Sequence, residues 1–252
     1  MTLWLVGASG MLGRAFAEGL ARTGIRVVQT NSEVDITDRQ TVRTLALAER
    51  PTHIINCAGY TRVDDAETHA AEAERINVLG PENLALAATE TESCLVHISS
   101  DYVFAGDARE PYDEAAPCMP RSVYGRTKWG GERRVLALHS RGRAYVVRTS
   151  WLFGKHGNNF VRTILRLLAT EDELRVVSDQ VGRPTYAPDL AAAVLRLIGL
   201  EPRARAPAEP GVYHYANHGA TSWHEFACAI WQVALRRQFP VRTRTVTAVA
   251  TS

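Results

Sequence analysis

Over the first 150 residues, short apolar runs alternate with longer stretches whose apolar positions recur at helical spacing, and most runs close on glycine or small polar residues. Leu3-Trp4-Leu5-Val6 leads into Gly7-Ala8-Ser9-Gly10-Met11-Leu12-Gly13, and helical spacing follows over residues 14–22. Residues 25–30, 53–59, 94–98 and 144–148 repeat the short run and predict four more strands. Between them the pattern predicts a helix over residues 38–50 capped by Thr37 or Asp38, and a polar loop leading into an acidic, alanine-rich helix that ends near Glu74. A further helix starts at Pro81 and another around Tyr124. A strand-loop-helix unit repeated in this way predicts an α/β chain with a Rossmann-like, doubly wound parallel sheet over residues 1–150.

After residue 150 the period is lost. Trp151, Phe153, Phe160 and Tyr186 are scattered among glycine, asparagine and proline, which predicts a smaller C-terminal substrate-binding lobe over residues 151–252. Within it, residues 189–200 and 221–237 read as helices, the second capped by Ser222, and residues 212–215 as a short strand, so some elements return to the sheet. Residues 201–210 read as a Pro/Ala/Arg linker.

Composition narrows the function classes. A chain of 252 residues with 46% hydrophobic content can bury a sizeable core, and a formal net charge of +2 provides no strong basic field. No Lys/Arg run is interleaved with aromatics, so nucleic acid is not the expected partner. No window is apolar enough to span a bilayer and no signal peptide precedes Gly7, which predicts a soluble cytoplasmic protein. Cys57, Cys94, Cys118 and Cys228 lack ligand spacing, His53 has no second ligand nearby, and Asp64, Asp65 and Glu67 read as a solvated helix start, so no metal is expected.

Candidate chemistry lies in three places. Gly7, Gly10 and Gly13, between a strand and a helix, permit a tight turn and bring backbone N–H groups and a positive helix end toward a pyrophosphate. The second strand ends in Thr30, Asn31 and Ser32 rather than in a carboxylate, which favours NADP over NAD, with Arg14 and Arg39 as candidate partners for a 2′-phosphate. Tyr124 and Lys128, four residues apart, share one helical face. They form either a solvated surface or a general acid/base pair in which the ammonium lowers the phenol's pKa. Only two of the 29 basic residues, Lys128 and Lys155, are lysine, and a compact ammonium is not interchangeable with a guanidinium. Ser99-Ser100-Asp101 ends the fourth strand, on the side where open α/β sheets bind ligands; ordinary turn chemistry also fits it.

Several of these stretches, with others, resemble one family, the dTDP-4-dehydrorhamnose reductases among the extended short-chain dehydrogenase/reductases. The matching text is the glycine loop, Val34-Asp35-Ile36-Thr37-Asp38, Asn56-Cys57-Ala58-Gly59-Tyr60-Thr61, Ser99-Ser100-Asp101-Tyr102-Val103-Phe104 and Tyr124-Gly125-Arg126-Thr127-Lys128. It continues with Arg148-Thr149-Ser150-Trp151, Asn159-Phe160 and Asp179-Gln180-Val181-Gly182-Arg183-Pro184-Thr185. The resemblance implies NADPH- or NADH-dependent reduction of a 4-keto-6-deoxyhexose linked to dTDP. Tyr124 would be the proton donor, Lys128 would hold the nicotinamide ribose, and Ser100 would bind the carbonyl oxygen. Gly10, Met11 and Leu12 would line the pyrophosphate, Asp35 and Ile36 the adenine, and Gly59, Tyr60 and Thr61 the ribose and nicotinamide. Asp101 and Trp151 would contact the sugar nucleotide.

The chain departs from the family pattern at three points. Ser100 replaces a common threonine, and Ala15 stands where some members have a glutamate that helps bind magnesium at a dimer interface, so that metal and that dimer do not carry over, though a homodimer of another kind is compatible. The chain ends at Thr251-Ser252, short of a family segment that contains Arg-Pro and a following serine, which implies a shortened lobe. The competing readings are a catalytically silent dinucleotide-binding regulatory subunit, a 4-ketoreductase for another deoxysugar, and an epimerase or dehydratase of the same superfamily. A dehydratase wants an acidic pair where Ser100-Asp101-Tyr102 has one carboxylate.

Overall fold

A computed structural model of the chain describes residues 1–21, 23–138, 143–201 and 206–251. The first part of the chain contains β1 (Thr2–Val6), α1 (Met11–Leu20), β2 (Arg26–Thr30), α2 (Arg39–Glu49) and β3 (His53–Asn56). It continues with α3 (Ala70–Glu74), α4 (Gly80–Thr91), β4 (Cys94–Ser100), α5 (Val123–Leu138) and β5 (Ala144–Thr149). After these come β6 (Leu152–Phe153), α6 (Phe160–Thr170), β7 (Glu173–Val177), β8 (Val181–Gly182), β9 (Thr185–Tyr186) and α7 (Ala187–Leu197). The last elements are β10 (Gly211–His214), β11 (Thr221–Ser222), α8 (Trp223–Arg236) and β12 (Thr245–Val249). Arg22 and residues 202–205, which belong to the expected first helix and to the expected linker, lie outside the described residues.

Six strands form one parallel sheet in the order β10-β5-β4-β3-β1-β2. Successive side chains on a strand face opposite sides, and here both sides are covered. Leu3 and Leu5 of β1 join the core beneath α1 and α7, whereas Trp4 and Val6 join the core beneath α2 and α4. This double burial explains why the strands read as continuous apolar runs. On α1, Leu12, Phe16 and Leu20 recur every four residues and are all buried, each contributing about 1.5–3 kcal/mol relative to exposure. On α2, the Asp38 side chain accepts from Gln40 N at 2.9 Å and caps the helix.

One sequence expectation holds with an addition, the helix ending at Glu74 and the one starting at Pro81 being continuous, and one is corrected. The helices before and after Pro81 are one helical path from residue 70 to residue 91, joined by a π-turn over Arg75–Leu79. Pro81 lacks the N–H that would bond the Asn77 carbonyl, and the backbone widens around that carbonyl instead of stopping. The region after residue 150 is also more regular than its scattered aromatics imply. Its α6, α8, β7 and β12 enclose a separate core of Ile164, Leu168, Leu174, Val176, Ala227 and Ile230, and β7 and β12 pair in parallel. By contrast, β10 extends the main sheet beside β5, and α7 packs on α1.

Candidate active site

The sheet order places β2 and β3 on opposite sides of β1, so the chain reverses direction across the sheet after β2, and a crevice opens at the carboxyl ends of β1 and β3. Gly7 leaves β1 with φ of +75°, a conformation in which a Cβ is strained. Gly7 N and Ala8 N donate to Thr30 O at 2.8 and 3.1 Å, tying the loop to the end of β2. A Cβ on Gly13 would lie 2.2 Å from Gly7 O, and one on Gly7 2.8 Å from Ala58 N. Gly10 occupies the N-cap of α1 without a side-chain cap, so the first amides of the helix keep their hydrogens for an anion. The glycine cradle and uncapped helix end fit a dinucleotide diphosphate. Gly13→Ala is expected to lower stability by about 1–3 kcal/mol and to weaken NADPH binding; an unchanged denaturation midpoint and affinity would contradict this close approach.

A cavity of about 1030 Å³ runs along this edge of the sheet. The structure brings Gly7, Gly10, Met11, Leu12, Gly13, Asp35, Ile36, Gly59 and Thr61 to its walls. Ser100, Asp101, Tyr124, Lys128 and Trp151 line it as well. Tyr60 departs from expectation. Its side chain is buried in a cluster with Ala66, Ala73 and Tyr124, and it does not line the cavity; its backbone is held by Asn77 through Tyr60 N at 2.8 Å and Tyr60 O at 3.1 Å. Neither candidate arginine lines the cavity. Arg14 Nε donates to Ser9 O at 2.9 Å, beside Asn31, whose Oδ1 accepts from Ser9 N at 2.6 Å. Arg39 instead lies within electrostatic reach of Glu90.

The tyrosine and lysine project from the first turns of α5. Ser122 Oγ accepts from Gly125 N at 3.0 Å and a Glu67 carboxylate oxygen accepts from Val123 N at 2.7 Å, so a residue of the acidic stretch secures this helix start. Tyr124 and Lys128 are buried, and Lys128 Nζ donates to Ile98 O at 2.7 Å. Tyr102 meets the Tyr124 ring edge-on with centroids 5.4 Å apart. Burial pushes the Tyr124 phenol up to about 12, opposed by hydrogen bonding with Ser100 and reinforced by Asp101 and Tyr102. Burial also brings Lys128 down to about 8. The expected lowering of the phenol by the lysine is therefore corrected: desolvation dominates Tyr124, while the ammonium is directed at a strand carbonyl.

Ser100 Oγ donates to Asp101 Oδ1 at 3.0 Å, and burial pushes the Asp101 carboxyl up to about 6 against the lowering effect of that bond. Its folded pKa thus lies above the unfolded value, so the native state binds more protons between about pH 4 and 6 and loses stability as pH rises through that window. The full shift corresponds to about 3 kcal/mol, and screening at a partly exposed carboxylate reduces the expected effect to about 1–2 kcal/mol. Asp101→Asn should therefore be the more stable protein at about pH 7.5, with the difference closing near pH 4. Urea unfolding at both pH values checks it, and a difference independent of pH would count against a raised Asp101 pKa.

Sequence reasoning missed several supporting residues. Asn77, in the π-turn, also donates to Thr127 Oγ1 at 3.0 Å and so joins the Tyr60 backbone to α5. An asparagine in a helix four residues before a proline was the available signal. Gly157 and Asn158 reach the cavity from the loop after β6, where Asn159 Nδ2 bonds Gly154 O at 2.8 Å. Among the described residues no group of three or more His, Cys, Asp or Glu side chains could hold a metal ion.

A parallel sheet with a glycine cradle at its switch point, and a tyrosine–lysine pair at the head of the helix after β4, defines a Rossmann-type protein of the extended short-chain dehydrogenase/reductase kind. Residues 1–252 match the model of the RmlD substrate binding domain, and the chain belongs to that family. It is 43% identical over 250 residues to a dTDP-4-dehydrorhamnose reductase of Streptomyces griseus, covering 98% of this chain and 80% of that one. It is 41% identical over 251 residues to a probable dTDP-4,6-dihydroxy-2-methyloxan-3-one 4-ketoreductase of Streptomyces antibioticus, covering 98% and 81%. The crystal structure of dTDP-4-dehydrorhamnose reductase from Bacillus anthracis in complex with NADP superposes with a TM-score of 0.90 at 39% identity, covering 99% of this chain and 84% of that one. No helix among the described residues is long and apolar enough to cross a membrane.

Proposed function

We propose that this chain is an NAD(P)H-dependent reductase that converts the 4-keto group of dTDP-4-dehydrorhamnose to the alcohol of dTDP-rhamnose, a step of deoxysugar biosynthesis. The observation that carries this reading is the convergence of Tyr124, Lys128 and Ser100 on a cavity whose other wall is a dinucleotide cradle. A dinucleotide held in this cradle would supply the hydride for the carbonyl carbon. Tyr124, kept protonated at neutral pH by burial, donates its proton to the carbonyl oxygen as charge develops there. Ser100 hydrogen-bonds the same oxygen, and Lys128, one helical turn from Tyr124, takes the nicotinamide ribose hydroxyls.

Gly10, Met11 and Leu12 hold the diphosphate, with Gly7 and Gly13 shaping the cradle; Asp35 and Ile36 flank the adenine. Gly59 and Thr61 would face the ribose and nicotinamide, and Asp101 and Trp151 would meet the sugar nucleotide. Arg14, beside Ser9 at the cavity rim, is the cation for a 2′-phosphate. The similarity to a 4-ketoreductase named for another dTDP sugar supports a second reading, in which the same chemistry serves a different deoxysugar. The expected place of work is the cytoplasm, as a monomer or a homodimer, which sedimentation distinguishes.

The test is NADPH and NADH oxidation by the purified chain, with and without dTDP-4-keto-6-deoxyhexose, followed by identification of the product. Oxidation that requires the sugar and yields dTDP-rhamnose is the expected result. A different reduced sugar selects the second reading, and dinucleotide binding without turnover overturns both in favour of a regulatory subunit.

A further inference from the structure

The cavity wall formed by Trp151 is held in place from the last strand of the chain. Trp151 has φ of +46°, a costly conformation for a bulky residue. Its ring is clasped on both faces. Trp223 stacks on it with centroids 3.4 Å apart and planes 7° from parallel, and a Cβ on Gly182 would come within 2.4 Å of it. Gly182 is itself paired with Thr221 across β8 and β11, and its place also follows from what fixes the residues on either side of β8.

On one side of Gly182, Thr185 N donates to Trp151 O at 3.1 Å and Ser150 Oγ donates to Arg183 O at 2.7 Å. On the other side, three successive residues are tied to the end of β12 and to Thr251 just beyond it. Ser178 N donates to Val249 O at 2.9 Å. Thr251 donates to the Asp179 carboxylate from its N at 2.9 Å and its Oγ1 at 2.7 Å, and these bonds hold the carboxyl below the usual carboxylate range. Gln180 Nε2 donates to Thr251 Oγ1 at 3.0 Å. Neither Asp179 nor Thr251 lines the cavity.

We propose that Asp179 and Thr251 are positioning residues for the sugar-nucleotide side of the cavity: together they fix residues 178–180, brace the approach to β8, whose Gly182 lies under the Trp151 ring and pairs with Thr221, and so help set the wall against which substrate binds. The inference rests on the sugar-nucleotide reading above. It predicts a defect confined to substrate affinity, since the glycine cradle and the α5 pair are held by other elements.

The full chain with Asp179→Ala loses all the bonds to the carboxylate, Thr251→Val loses only those of the hydroxyl, and Thr251→Ser keeps both. For dTDP-4-keto-6-deoxyhexose, KM should rise roughly tenfold in Asp179→Ala and about threefold in Thr251→Val, with kcat within about twofold. NADPH affinity should match the parent, and Thr251→Ser should show the parent KM. The near-ultraviolet circular dichroism of the stacked tryptophans, identified as the signal lost in Trp223→Phe, should weaken in Asp179→Ala and persist in Thr251→Ser. A parent-like KM in Asp179→Ala, or NADPH affinity falling in step with KM, overturns the positioning role. If the parent chain turns over no 4-keto sugar nucleotide, the proposed function fails, and the dichroism decides the latch by itself: an unchanged signal in Asp179→Ala overturns it.

Discussion

Tyr124→Phe is expected to lower kcat for 4-keto sugar reduction by about a thousandfold, within the range that a positioned general acid contributes. NADPH affinity should stay within about twofold of the parent's, because the substitution removes one hydroxyl and keeps the ring. That ring sits in the cluster with Tyr60, Ala66 and Ala73 and meets Tyr102 edge-on, contacts that phenylalanine reproduces. Steady-state rates and dinucleotide titration read the two effects separately. With burial holding the phenol at about 12, the parent's reduction rate should show no loss from phenol ionisation up to about pH 10. A Tyr124→Phe variant that reduces the sugar at the parent's rate would remove Tyr124 from the chemistry.

Glu132→Ala carries the largest expected loss of stability, about 3–5 kcal/mol, because it leaves a buried guanidinium without its counter-ion. Arg148 of β5 donates to Glu132 of α5 from Nε at 3.0 Å and from Nη2 at 2.8 Å, with side-chain exposures of 7% and 1%. The same guanidinium reaches Cys118 Sγ at 3.2 Å and lies over the Phe104 ring, so it joins the sheet, α5 and the loop between β4 and α5. Glu132 stands one turn beyond Lys128 on the buried face of α5, which makes the pair a support for the tyrosine and lysine as well as for the core. Urea unfolding of Glu132→Ala measures the loss. The double variant Glu132→Leu/Arg148→Met should recover much of it, since an apolar pair of similar volume carries no desolvation penalty. Equal instability of the single and double variants would mean that packing, and not the unpaired charge, is responsible.

Much of the fold was legible because both faces of the sheet are covered. Leu3-Trp4-Leu5-Val6 reads as a strand whichever neighbour it has, since every one of its side chains is buried. The glycine loop was legible for a different reason: a Cβ 2.2 Å from a carbonyl oxygen admits no other residue, so the constraint is written in the chain itself. The second half was harder to read. Its α6 and β12 bury their apolar residues against elements far away in sequence, and Thr245–Val249 becomes a strand only by pairing with Glu173–Val177.

By itself the sequence determined the strand-loop-helix alternation, the tight glycine turn after β1 and the spacing that puts Tyr124 and Lys128 on one face, because each depends on contacts within a few residues or on a forbidden side chain. Only the tertiary structure decided that Tyr60 turns its ring into the core, that Lys128 is directed at Ile98 O while burial sets the phenol's pKa, and that Trp151 is clasped between Gly182 and Trp223. Those outcomes depend on desolvation and on which distant backbone groups are within reach, and neither quantity exists until the sheet, the helix after β4 and the C-terminal lobe have come together.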